Sequence, residues 1–166
     1  SFGPAVVGPA LSDTNGWDDP ANYQSLRLAD LDADGDLELC ARSNASVVCW
    51  PWTGAGFGTS FQGPALSDAS GWWADRFGTT LRFADVTGDG RADLCARDAA
   101  GLVCWPSTGA AFGGAIRGPA WTGPGFETPS SYGTLMAAGQ RAVAGPDAGA
   151  AGRSEEHTSE LQSRGL

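Results

Sequence analysis

The sequence predicts an all-β protein built from β-propeller blades, in which each blade is a four-stranded antiparallel sheet and the propeller is incomplete. Three observations lead to this prediction. The chain of 166 residues repeats itself at an offset of 55 residues, as from Cys40 to Cys95. Its 25 glycines and 10 prolines lie between short apolar segments, which favours turns and strands over long helices. Each repeat also contains four short segments of strand type, the number in a propeller blade.

The repeat runs without a gap through the first two copies. Phe2-Gly3 returns as Phe57-Gly58, Cys49-Trp50-Pro51 returns as Cys104-Trp105-Pro106, and about half of the aligned positions are identical. A fixed period of this length is typical of repeat architectures. The predicted units are a first repeat that starts in mid-cycle, a second repeat, a partial third repeat, an Ala/Gly-rich degraded segment and a C-terminal tail: 1–56, 57–111, 112–136, 137–152 and 153–166.

The C-terminal tail is set apart from the repeats by its composition. Residues 153–163 resemble the translation of a sequencing adapter, and they contain the single histidine of the chain, His157. Such a segment is excluded from reasoning about fold and function. Because a propeller typically needs about 4–8 blades to close, we expect the remaining two copies and part of a third to belong to a longer array.

The second copy shows how one blade is expected to form. Its strands are predicted at 81–84, 94–97, 102–106 and near Phe112. A turn at 98–101 joins the middle two strands, and Gly101 provides the conformational freedom that a tight turn requires. An acidic loop joins the first two strands.

The acidic loops are the predicted metal sites. The first reads Asp-Leu-Asp-Ala-Asp-Gly-Asp-Leu-Glu at 30–38 and the second reads Asp-Val-Thr-Gly-Asp-Gly-Arg-Ala-Asp at 85–93. Oxygen-bearing side chains at positions 1, 3, 5 and 9 can converge on a hard cation such as Ca²⁺, and the glycine at position 6 permits the sharp bend. Magnesium is disfavoured because it keeps more water ligands. The alternative is an Asp-rich turn held by hydrogen bonds between side chains and backbone.

Position 12 of each loop is an alanine, so the loops lack the bidentate glutamate of an EF-hand. The nine-residue loop between strands instead resembles the FG-GAP/VCBS repeat family, in particular its bacterial branch. This resemblance covers about residues 2–121 and implies a calcium-binding β-propeller like that of integrin alpha subunits. It implies two Ca²⁺ ions, with position 7 binding through its backbone. The implied ligands are Asp30, Asp32, Asp34, Asp36 and Glu38, and then Asp85, Thr87, Asp89, Arg91 and Asp93.

The four cysteines are predicted to form two disulfides. Cys40 and Cys49, like Cys95 and Cys104, are equidistant from the centre of a predicted hairpin turn. Directly opposed residues of antiparallel strands lie close enough for a disulfide. The alternative is four buried thiols, whereas the spacing does not suit a zinc site. Disulfides imply an oxidising, extracellular compartment.

Seven tryptophans raise the possibility of carbohydrate binding. Repeated aromatic residues usually belong to the core, but Trp50, Trp52 and Trp105 are candidates for stacking against a sugar ring. Trp73 has no counterpart in the first copy. The repeated arginines at 27/82 and 42/97 are expected to pair with the carboxylates of the acidic loops.

These observations predict a secreted or cell-surface module that binds calcium and serves adhesion or ligand binding, with a protein or a carbohydrate as partner. The alternatives are a lectin-like propeller and an accessory module of a secreted enzyme. The chain itself is not expected to be an enzyme, because a histidine-based nucleophile is unavailable outside the tail. No nucleic-acid partner is expected, because an acidic chain of net charge −9 without a basic cluster is a poor nucleic-acid binder. No apolar segment is long enough to span a membrane. The absence of lysine, together with the abundant Ala, Gly, Arg and Pro, suggests a high-GC bacterial source.

Overall fold

The computed structural model describes residues 3–135, and it consists of two successive four-stranded antiparallel sheets. In both sheets the strands lie side by side in chain order. This confirms the predicted all-β class and the blade-like meander of each copy. The first sheet contains β1 Arg27–Ala29, β2 Glu38–Arg42, β3 Val47–Trp50 and β4 Phe61–Gln62. The second contains β5 Arg82–Ala84, β6 Asp93–Asp98, β7 Gly101–Trp105 and β8 Ile116–Arg117.

A short helical segment precedes each sheet, and a third one follows the second sheet. The helices are α1 Pro20–Tyr23, α2 Asp75–Gly78 and α3 Pro129–Tyr132. Asp19 caps the first of these, since its side chain accepts a hydrogen bond of 2.8 Å from the backbone N–H of Ala21. A 3-10 turn stands before each helix, at Asp13–Asn15, Asp68–Ser70 and Pro124–Phe126. None of the helices within residues 3–135 is long and apolar enough to cross a membrane.

The fourth strand of the second copy differs from its prediction. Phe112 lies in an isolated bridge with Ser107, and β8 begins only at Ile116. The backbone N–H of Gly113 donates to Pro106 at 2.7 Å, which closes a tight loop directly after β7. The chain must leave this loop before it can pair with β7 again. The unit boundaries at 56/57 and 111/112 remain predictions, and the segments 137–152 and 153–166 lie outside the described residues.

A single apolar cluster joins the two sheets. Leu31 and Val47 of the first copy and Leu81, Leu94 and Val103 of the second are buried in it. Helices α1 and α2 also pack closely, because a Cβ atom added at Gly78 would lie 2.8 Å from the Cβ of Ala21. Burial of apolar surface between the copies is therefore what holds one blade against the next.

Both predicted disulfides are present. Cys40 is paired directly opposite Cys49 in the β2–β3 ladder, and Cys95 is paired opposite Cys104 in the β6–β7 ladder. The Cα atoms of each pair are 4.1 Å apart. The cysteine spacing thus predicted the strand register correctly, and none of the cysteines is free.

Candidate functional site

The first acidic loop connects β1 to β2 and is shaped by its own carboxylates. Asp30 accepts hydrogen bonds from the backbone N–H groups of Ala33 at 2.7 Å and Gly35 at 3.2 Å. Asp34 accepts one from Asp36 at 2.8 Å. Ala33 is left-handed, with a φ of 67°, which is uncommon for a residue with a Cβ atom. The loop is therefore sharply bent, and Asp30 holds the bend from inside.

Three of the predicted ligands come together in this loop. One carboxylate oxygen from each of Asp30, Asp32 and Glu38 lies within 4.8 Å of the others. Asp30 and Glu38 are buried, whereas Asp32 is exposed. Asp34 and Asp36 are also exposed and do not belong to this group. The cluster therefore opens to solvent on the side of Asp32.

Glu38 is the deepest acid of the cluster, with only 3% of its surface exposed. Burial raises the pKa of Glu38 above its ordinary value, and the neighbouring carboxylates of Asp32 and Asp34 act in the same direction. The backbone N–H of Leu31, which donates to Glu38 Oε2 at 2.7 Å, opposes that rise in pKa. Gathering these acids is electrostatically unfavourable, and a bound cation would relieve it.

The donor set of the first loop fits a calcium ion. Oxygen ligands lie about 2.3–2.6 Å from Ca²⁺, so two ligands of one ion can be up to roughly 4.6–5.2 Å apart. The three carboxylate oxygens of the cluster lie within 4.8 Å of one another, which is close enough for them to bind one ion. Each carboxylate oxygen has two lone pairs, so accepting one backbone hydrogen bond leaves it able to bind a metal. Asp30, Asp32 and Glu38 would hold the ion, which would neutralise their charge and order the loop.

The second loop, between β5 and β6, has the same backbone pattern but a different charge arrangement. Asp85 accepts hydrogen bonds from Gly88 at 2.6 Å and Gly90 at 2.9 Å. The guanidinium of Arg91 pairs with Asp89, and its Nε donates to the carbonyl of Ser107 at 3.0 Å. Within residues 3–135 no second group of three carboxylates forms. A cationic side chain thus already compensates one acid of this loop.

Asp93, the last acid of the second loop, is fully buried and accepts three backbone hydrogen bonds. The donors are Val86 and Thr87, both at 3.0 Å, and Ser107 at 2.8 Å. Thr87 contributes its backbone N–H there. Sequence reasoning assigned Arg91 only a backbone role and did not anticipate its contact with Asp89. The sequence does indicate such a contact, because the second loop has the cationic Arg91 where the first loop has Asp36.

The first loop is also tied to the second copy. The carbonyl of Asp30 accepts a hydrogen bond of 2.8 Å from the N–H of Ala92, and the carbonyl of Leu31 accepts one of 2.7 Å from Ser107 Oγ. Ser107 is buried at this junction. Ordering the first loop therefore also orders part of the contact between the two copies.

The prediction that the repeated arginines pair with the acidic loops is wrong. Arg42 forms an ion pair with Asp68, from the turn of the next copy. The residue equivalent to Asp68 in the third copy is Gly123, which has no carboxylate to pair with Arg97. Arg97 instead donates to the carbonyls of Arg76 and Trp121. The arginines at 27 and 82 likewise donate to backbone carbonyls. All four lie at the strand ends remote from the acidic loops, because the loops join the opposite ends of the same strands.

The candidate stacking tryptophans are partly buried against other aromatic rings. The ring centroid of Trp50 lies 6.2 Å from that of Trp17, and the centroid of Trp105 lies 6.4 Å from that of Trp72. Trp52 contacts Phe57 edge to face at 5.3 Å. Trp73, which was not among the stacking candidates, is 62% exposed.

Comparison with known families identifies the segment that contains both loops. Residues 30–96 match the family model of the FG-GAP-like repeat. This segment is an FG-GAP-like repeat. It begins at the first acid of the first loop and ends within β6, just after the second loop. The family resemblance drawn from the sequence is therefore confirmed. No curated protein matches the chain significantly.

Two solved structures are similar to part of this chain. One is an Agrocybe aegerita lectin that recognises non-reducing terminal N-acetylglucosamine, with 27% identity and a TM-score of 0.49 over 54% of this chain. The other is a Tc holotoxin pore from Photorhabdus luminescens, with 28% identity and a TM-score of 0.42 over 60% of this chain. The matched regions span 23% of the lectin chain and 5% of the toxin chain.

Proposed function

We propose that this chain is a calcium-binding FG-GAP-like repeat module of a secreted or cell-surface protein, in which the ion is structural and the module serves adhesion or ligand binding. The observation that carries the proposal is the cluster of Asp30, Asp32 and Glu38 inside an FG-GAP-like segment. The ion would stabilise the loop between β1 and β2 and, through the carbonyls of Asp30 and Leu31, the contact with the next copy.

The two loops are proposed to bind calcium with different strength. Calcium affinity rises with the charge of the ligand set and its rigidity. The first loop carries five acidic side chains, whereas the second carries three together with Arg91. Calcium at the second loop would also have to break the ion pair between Arg91 and Asp89 or bind beside a positive charge. We therefore expect the first loop to fill first and the second only at higher calcium concentration.

Calcium should stabilise the wild-type chain, and Glu38→Gln should remove most of that effect. An ion that binds only the folded state adds about 2.7 kcal/mol when its concentration is 100 times Kd. Glutamine keeps an oxygen acceptor for the N–H of Leu31 but loses the charge that calcium requires. Because burial already disfavours the ionised form of Glu38, the stability without calcium should change little. Thermal unfolding in calcium and in chelator measures the stabilisation by calcium and the stability without it.

Asp13→Asn is the matched control, since Asp13 is an exposed acid outside both loops. It should respond to calcium as the wild type does. An equal calcium response in the wild type and in Glu38→Gln would contradict a calcium site at the first loop.

Secretion is proposed from the two disulfides and the repeat type, since both are typical of extracellular proteins.

The chain is proposed to be a non-enzyme. Its one histidine, His157, lies outside the described residues, and the clustered acids within them belong to the acidic loops. A fluorogenic panel of esterase, protease and glycosidase substrates should give no turnover with the purified chain.

Carbohydrate binding is the second candidate function. Trp50, Trp52 and Trp105 are only partly exposed, and each contacts a neighbouring aromatic ring. The aromatic residue that favours this candidate is instead Trp73, because its indole is exposed at the surface.

A further inference from the structure

A groove lies where the turns and helices of successive copies meet. Its lining includes Asp18 from the first copy, Trp73, Asp75 and Arg76 from the second, and Glu127 and Tyr132 from the third. Concave sites with aromatic walls and a few convergent polar groups are the usual form of a small-molecule site. We propose that this groove binds a neutral saccharide, with Trp73 as the stacking surface. This inference rests on the ligand-binding part of the proposed function.

Within residues 3–135, Trp73 makes no contact with another aromatic ring, and it is 62% exposed. The preceding residue, Trp72, fills the core position: it is 7% exposed and contacts both Phe77 and Trp105. In the first copy the position equivalent to Trp73 is Asp18, so the fold does not need an aromatic residue there. Leaving a large apolar ring in water is unfavourable, and an exposed aromatic residue in a groove marks an interaction surface.

The charge of the groove selects the class of ligand. Its acids, Asp18, Asp19, Asp75 and Glu127, outnumber its single cation, Arg76. Asp19 is already used to cap α1. Within residues 3–135, the side chains of the other three acids carry no hydrogen bond or ion pair. These carboxylates can accept hydrogen bonds from sugar hydroxyls, while they would repel uronic or sialic acids.

A pyranose ring has an apolar face and a polar edge, and this groove offers a contact to each. One of its faces consists of C–H groups and can cover the indole of Trp73, and its hydroxyl edge can reach the carboxylates beside it. A peptide partner would need basic residues to match the same acids. A lysine-rich peptide is therefore included in the test as the ligand of this alternative.

The test measures binding of the full chain to immobilised N-acetylglucosamine, galactose and mannose, with N-acetylneuraminic acid as the anionic comparison. We expect saturable binding to at least one neutral sugar and none to the anionic one. Trp73→Ala should weaken neutral-sugar binding about tenfold or more, and Trp73→Tyr should restore part of it. Leu28→Ala removes apolar surface at a residue that is 57% exposed and lies outside both the groove and the acidic loops, so it should leave binding unchanged.

The outcomes separate this inference from the calcium proposal. Binding that survives Trp73→Ala would overturn the groove as the site while leaving ligand binding intact. Absence of binding to every neutral sugar, by a chain whose stability still responds to calcium, would overturn only the saccharide inference. Binding confined to a lysine-rich peptide would overturn it in favour of a protein ligand.

Discussion

Replacing Arg42 with alanine is expected to lower the free energy of unfolding by about 2–3 kcal/mol, mainly because the buried side chain of Asn22 loses its hydrogen-bond donor. The Arg42 side chain is fully buried at the end of β2, and its guanidinium bonds to Asn22 and to Asp68. Alanine would open a cavity between the two copies and leave the buried Asn22 acceptor unsatisfied, whereas Asp68 is 37% exposed and would bind water instead. Urea unfolding followed by tryptophan fluorescence measures the change.

Arg42→Met separates the charge from the volume. Methionine fills most of the space with an apolar chain. It also removes the cost of burying a guanidinium whose Nε has no hydrogen-bond partner among residues 3–135. Burial also lowers the pKa of Arg42, whereas the charge and the hydrogen bond of Asp68 act in the opposite direction. Arg42→Met should therefore cost clearly less than Arg42→Ala. A loss below about 1 kcal/mol for Arg42→Ala would contradict a structural role for this ion pair.

Loss of either disulfide is expected to cost about 2.5–3 kcal/mol in the chain-entropy model. Each bridge closes a loop with a sequence separation of nine residues. The two bridges lie in different sheets, so their effects should be nearly additive. Removing both, as Cys→Ala pairs, would cost about 5–6 kcal/mol, comparable with the whole stability of a marginal domain.

Reduction provides the matched control for the cysteine variants. Dithiothreitol should lower the urea midpoint of the wild type and have no effect on the variant that lacks all four cysteines. A wild-type midpoint that reductant does not change, with the thiols shown to be free, would contradict a stabilising role for the bridges.

Much of the fold was predictable because the spacing of residues within each repeat indicates how its strands pair. The equal spacing of Cys40/Cys49 and Cys95/Cys104 located the hairpin turns and the facing residues of both central strand pairs, as the structure confirms. Alternating acids with a central glycine located the loops between strands. These features depend on local pattern alone, so one sequence is enough to find them.

Features that depend on contacts between copies were not predictable in the same way. The partner of Arg42 lies 26 residues away, and its counterpart Arg97 lacks that partner because the equivalent position is Gly123. The contact between Arg91 and Asp89 depends on how the side chain folds back over the loop. The exposure of Trp73 follows from which of two adjacent tryptophans enters the core, and pattern alone does not decide that.

The most direct test of the calcium proposal is isothermal titration of the oxidised chain with calcium, beside Asp32→Asn and Asp89→Asn variants. We expect a tighter binding event with a stoichiometry near one. This event should be lost in Asp32→Asn and kept in Asp89→Asn, which alters only the second loop. A tighter event that survives Asp32→Asn, or a folded wild-type chain that binds no calcium, would contradict the assignment of the metal to the first acidic loop.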